Sequence, residues 1–127
     1  MPKSRVKETF AKVLCYESGA DLPLARKYLE AVLTMKKKST VREGVLLFSP
    51  KCQLFLHSSP DTPRVPVTVI RYVSKLLKHV TLRDARDDGF STREALILEL
   101  RQYYPALKDD SVVTIVRFRP SSSGMYR

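Results

Sequence analysis

Positive charge is the chemistry that this sequence offers most plainly. Lys36, Lys37 and Lys38 stand in a row, with Arg26, Lys27 and Arg42 nearby in the chain. Arg71, Lys75 and Lys78 follow at four- and three-residue steps, a spacing that sets them along one side of a helix. There is no Trp, and the tyrosines at 28, 72, 103 and 104 are mostly explained by helix faces. Cations grouped in this way suit contacts to phosphate and to shape more than the reading of single-stranded bases. Arg26, Lys27, Lys36, Lys37, Lys38, Arg42, Arg71, Lys75 and Lys78 are therefore the expected RNA contacts. The formal charge is +10, with 23 basic against 13 acidic residues. Residues 1–86 carry the whole excess, and residues 87–127 are balanced. That surplus points to a polyanionic partner, nucleic acid before an anionic membrane surface.

Other chemistry is sparse. Cys15 and Cys52 lie far apart in apolar runs, which suits two buried free thiols in a reducing compartment. His57 and His79 have no partner at ligand spacing, so no metal is expected, and His79 suits a cation at a helix C-terminus. The cluster Asp84, Asp87 and Asp88 lacks the spacing and closing glutamate of a calcium loop. It reads as a solvated turn paired with Arg83 and Arg86. No GxxxxGK[ST], GxGxxG or GxSxG stretch is present, and four glycines leave no phosphate-cradling loop. The expectation is a protein that is not an enzyme, with no catalytic residue, cofactor or small-molecule substrate.

The element expected to organise the fold is a helix from Asp21 to Lys38. Leu24, Ala25, Tyr28, Leu29, Val32 and Met35 share one face of it, Asp21 caps it, and the three lysines sit at its negative end. Residues 9–16 (TFAKVLCY) read as a strand, although Val6, Phe10, Val13 and Leu14 also fit a helix capped by Ser4. Val45–Phe48 and Cys52–His57 flank a short turn and suggest an antiparallel hairpin. Ser58–Pro66, with three prolines, reads as an extended loop. Thr68 then caps a second amphipathic helix reaching Val80. Ser91 and Glu94 form an S-x-x-E capping box for a third, which Pro105 stops. Val112–Phe118 is a strand by its β-branched run, and Arg119–Arg127 is a flexible tail. No membrane-spanning run or cleavable leader is apparent. Together these elements make one α+β domain over residues 1–127, a mixed and mostly antiparallel sheet with packed helices. Its basic core covers residues 6–86, and residues 87–127 add a helix–strand extension.

The order strand (FAKVLCY), turn, helix (LARKYLEAVL), strand (GVLLFS), strand (CQLFLH), loop, helix (VIRYVSKLLKHV) is similar to a thioredoxin-like family. That family is shared by mitochondrial ribosomal proteins and a small accessory subunit of respiratory complex I. Cys15-Tyr16 and Ala25-Arg26-Lys27-Tyr28-Leu29 carry the resemblance, which covers about residues 6–80. It implies a thioredoxin-like scaffold without redox chemistry, because no second cysteine follows Cys15 at redox spacing. The expected function is a structural, non-catalytic ribonucleoprotein component, a mitochondrial ribosomal protein on ribosomal RNA and neighbouring proteins. An accessory subunit of a mitochondrial membrane complex is the alternative.

Overall fold

Clusters of β-branched residues decide the fold. Those at 39–41, 65–73 and 112–116 become three adjacent strands of one five-stranded sheet. The computed structural model describes residues 6–8, 13–59 and 64–121. In chain order its strands are β1 (Val6–Glu8), β2 (Val13–Tyr16), β3 (Ala20–Pro23), β4 (Ser39–Glu43), β5 (Val45–Phe48), β6 (Gln53–His57), β7 (Val65–Leu76) and β8 (Val112–Pro120). The helices are α1 (Arg26–Leu33), α2 (Leu82–Asp87) and α3 (Arg93–Tyr103), and a 3-10 turn spans Leu77–His79.

The five-stranded sheet runs β3-β6-β7-β8-β4, and a smaller sheet runs β1-β2-β5. β8 lies inside the larger sheet, antiparallel to β7 on one side and to β4 on the other. Its side chains alternate between two cores. Val116 and Phe118 join Leu46, Phe48, Leu54 and Val67 beneath the smaller sheet, while Val113 and Ile115 face Leu96 and Leu100 of α3. The edge strands β3 and β4 are bridged by Arg42, whose Nη2 donates to the Pro23 carbonyl at 2.5 Å.

The architecture is thus mostly β and not the expected α+β thioredoxin-like domain. The helix expected from Thr68 to Val80 is the long strand β7, because Val65, Val67 and Val69 bury at strand spacing and extended backbone suits β-branched residues. The long helix from Asp21 to Lys38 shrinks to the eight residues of α1. Asp21 sits in β3 instead of capping a helix, and its carboxylate pairs with Arg64. β5 and β6 form no hairpin. Each pairs in parallel with an earlier strand, β5 with β2 and β6 with β3, in separate sheets. Helix α3 is capped one residue later than expected, by Thr92 Oγ1 accepting from the Ala95 amide at 3.0 Å. The acidic stretch is helical, with Thr81 and Asp84 forming a capping box on α2. Cys15 and Cys52 are free thiols, Cys52 fully buried and Cys15 partly so. The strand Val112–Phe118 is present and extends to Pro120. Residues 9–12 of the first expected strand and most of the flexible tail lie outside the described residues.

Candidate functional site

A cleft of about 410 Å³ opens over β4, between the β3–α1 segment on one side and the α2–α3 segment on the other. The local backbone explains how it is furnished. After α1 the chain reverses through Met35, at φ 62°, and the Lys37 amide bonds back to the Ala31 carbonyl at 3.0 Å. The lysine run therefore leaves the helix axis. Lys36 and Lys38 stay exposed, while Lys37 turns inward and becomes buried. On the opposite wall α2 ends at Asp88, and Gly89 turns the chain at φ 96°. A Cβ on Gly89 would lie 3.8 Å from both the Lys36 carbonyl oxygen and Lys37 Cβ, so the two segments pass in close contact.

That approach pairs Lys37 with Asp88, each side chain only 4% exposed. Lys37 Nζ also donates to the Asp88 carbonyl at 3.3 Å and lies 5.3 Å from the centre of the Tyr28 ring. Burial lowers the Lys37 ammonium to about 7, the Arg42 guanidinium adding to the effect and the Glu99 carboxylate opposing it. The Asp88 carboxylate alongside acts in the same direction as Glu99. Arg42 is lowered from its ordinary value by burial, partly offset by Tyr104 and Tyr16. Its Nε donates to the Thr40 hydroxyl at 3.1 Å. The Tyr28 hydroxyl donates to Glu99 Oε2, and burial together with that bond raises the phenol. Lys27 reaches the same carboxylate at 3.3 Å. Tyr28 and Phe90 meet edge to face at 6.2 Å, and Tyr103 and Tyr104 complete an aromatic wall. The arrangement offers a buried and a half-buried cation, a hydroxyl and a carboxylate to a flat polar ligand.

Of the expected RNA contacts, the fold brings Lys37 and Arg42 into this cleft and places Lys27 against its Glu99. Arg26, Lys36 and Lys38 remain exposed on or just after α1. The helical ridge Arg71, Lys75, Lys78 does not exist. Arg71 and Lys75 project from β7, Lys78 lies in the 3-10 turn, and Lys75 is tied to Asp84 at 2.9 Å. The acidic cluster is likewise no solvated turn with Arg83 and Arg86. Asp84 pairs with Lys75, Asp87 with Arg117 and Asp88 with Lys37. Sequence reasoning misses Tyr28, Thr40, Asp88 and Glu99 as site residues. No local feature of the sequence marks them, because what joins them is the approach of distant segments.

No family model matches the chain, and no curated protein matches it in sequence. Among solved structures it is similar to the ASCH domain from Lactobacillus crispatus, at a TM-score of 0.63 and 12% identity, covering 82% of this chain and 79% of that one. The chain has the ASCH fold. The hypothetical protein PH0355 shares it at a TM-score of 0.61 and 17% identity, covering 80% and 97% of the two chains. The ZmASCH protein of Zymomonas mobilis does so at 0.59 and 12%, covering 79% and 68%. The ASCH fold overturns the thioredoxin-like resemblance, which rested on an element order that β7 breaks. With that resemblance go the ribosomal and complex I readings, since the structures it is similar to include ASCH domains instead. The mitochondrial location falls too, because the neighbours include bacterial ASCH proteins. Among the described residues no helix is long and apolar enough to cross a membrane.

Proposed function

We propose that the protein binds RNA and that its cleft receives one nucleotide of the strand. One observation carries this reading: a buried cation, Lys37, and a half-buried one, Arg42, share a cleft with the rings of Tyr28, Phe90, Tyr103 and Tyr104. Its volume of about 410 Å³ falls in the range of small-ligand pockets, roughly 300–1,000 Å³. Aromatic walls suit the flat face of a base, and the amine, guanidinium and hydroxyl suit its polar edge or its phosphate. The +10 charge, with Arg26, Lys36 and Lys38 exposed, supplies salt-dependent attraction to the backbone.

Anisotropy titrations of a labelled oligoribonucleotide test this at several salt concentrations. Tyr103, 55% exposed, can be removed without cost to the core. Tyr103→Ala should weaken binding by about tenfold and leave the salt slope unchanged, because a base stacks without releasing counterions. Lys36→Gln with Lys38→Gln should flatten that slope. Unaltered affinity in the tyrosine variant refutes the cleft as a base site.

A second reading, hydrolysis at the bound group, is favoured by a Lys37 amine near neutrality and a Thr40 hydroxyl lining the same cleft. An amine of that pKa can accept the proton of a hydroxyl nucleophile at neutral pH. Turnover that Thr40→Val abolishes while binding persists selects it. Binding without turnover selects the non-catalytic protein that the motif-poor sequence suggests.

A further inference from the structure

Away from the cleft, a groove of about 210 Å³ runs along the sheet face formed by β4, β8 and β7. Three of its residues stand side by side in the strand register, Ser39 opposite Arg117 and Arg117 opposite Arg71. Two guanidiniums directly across a sheet repel each other unless something negative lies between them. The carboxylates lining the groove are already engaged. Asp87 accepts from Arg117 Nη1 at 3.2 Å, and Asp84 accepts from Lys75 at 2.9 Å and from the Thr81 amide at 2.9 Å. Lys75, from outside the groove, thus takes up one of its two acids and Arg117 the other, which leaves Arg71 over. Among the described residues no hydrogen bond or ion pair engages the Arg71 side chain. Ser39 is only 1% exposed, and its buried hydroxyl has no partner in the protein. A buried hydroxyl is ordinarily hydrogen-bonded, and a ligand oxygen seated in the groove would supply the missing partner.

We infer that this groove is a phosphate site, with Arg71, Arg117 and the Ser39 hydroxyl as its donors. Guanidinium forks match the paired oxygens of a phosphoryl group, and a serine hydroxyl can donate to a third. The site is separate from the cleft. Thr40, the next residue along β4, lines the cleft while Ser39 lines the groove.

The test is thermal unfolding and calorimetry of the full chain with inorganic phosphate, against sodium chloride at matched ionic strength. Phosphate should raise the melting temperature of the wild type. Arg71→Gln and Ser39→Ala should each weaken phosphate affinity by about tenfold, the loss of one charged or buried donor. In the absence of phosphate, Ser39→Ala should melt no lower than wild type, since the lost hydroxyl has no protein partner. A wild type that responds to phosphate no more than to chloride overturns the site, and so does an Arg71→Gln variant that responds as wild type does. Tyr103→Ala keeps the phosphate response, so failure of the cleft reading and failure of the groove are separable. Two further arms identify the source of the phosphate. Displacement of phosphate by a nucleoside 5′-monophosphate assigns the site to a free nucleotide. Displacement by an oligoribonucleotide lacking terminal phosphates assigns it to the RNA backbone.

Discussion

Removing one member of the Lys37–Asp88 pair should be among the most damaging single changes in the protein. Both side chains are almost wholly buried, so water cannot take over from the missing partner. A surface pair would contribute about 1 kcal/mol or less. Breaking a buried pair costs about 3–5 kcal/mol, because one charge remains without its counter-ion. Lys37→Met and Asp88→Asn should each lose that much. The combined Lys37→Met/Asp88→Asn variant should return to within about 2 kcal/mol of wild type, since neither charge is then buried alone. The dependence on pH is a separate check. The folded Lys37 ammonium, at about 7, lies below its ordinary 10.5. Between those values the unfolded chain holds a proton that the folded chain has released. Raising the pH through this window therefore favours the folded state, by at most about 1.4 kcal/mol per pH unit. Urea unfolding at pH 6, 7.5 and 9 should show the wild type gaining on the double variant as pH rises. A difference that stays flat from pH 7 to 9 refutes the lowered amine. Single variants that lose under about 1 kcal/mol refute the buried pair.

Three further outcomes can be measured directly. Thr114 is buried, accepts from the Leu46 amide at 3.0 Å and donates to the Gly44 carbonyl at 2.7 Å. Thr114→Val leaves both groups unpaired and should lower stability by about 2–4 kcal/mol in urea melts, and a loss of under about 1 kcal/mol would show that neither bond matters to the fold. Thr81→Ala opens the capping box on α2 and should cost about 1 kcal/mol. Amide exchange should quicken across Leu82–Asp87 first, and uniform exchange would show that α2 does not depend on its cap. Arg42→Gln removes the bridge to the Pro23 carbonyl and the bond to Thr40. It should weaken oligoribonucleotide binding more than Lys36→Gln does, and equal effects would place the binding surface outside the cleft.

Much of what is local was legible in the residues. The β-branched run at Val112–Phe118 is a strand wherever it is placed, because its side chains crowd a helix and fit a pleat. The chain from Arg26 to Leu33 is helical, and Thr92 in the stretch Ser91–Glu94 starts another helix, since capping is settled within one turn. The positive charge and the free thiols are likewise properties of composition.

Tertiary structure decided the rest. In β7, Val69, Ile70, Val73 and Leu76 fit helical spacing as well as they fit a partly covered strand. Only the pairing with β6 and β8 selects the strand, by taking up its backbone hydrogen bonds. That choice turns an expected basic ridge into residues on a sheet face, and it separates this fold from the thioredoxin-like order. The site follows the same rule. Lys37 looks like its neighbours Lys36 and Lys38, and nothing local marks it as buried. It turns inward because Met35 reverses the chain and Gly89 carries Asp88 across to meet it, 51 residues away in sequence. Burial and ion pairing depend on neighbours that a local reading of the chain does not supply, so the charge was visible in the sequence and its chemistry was set by the fold.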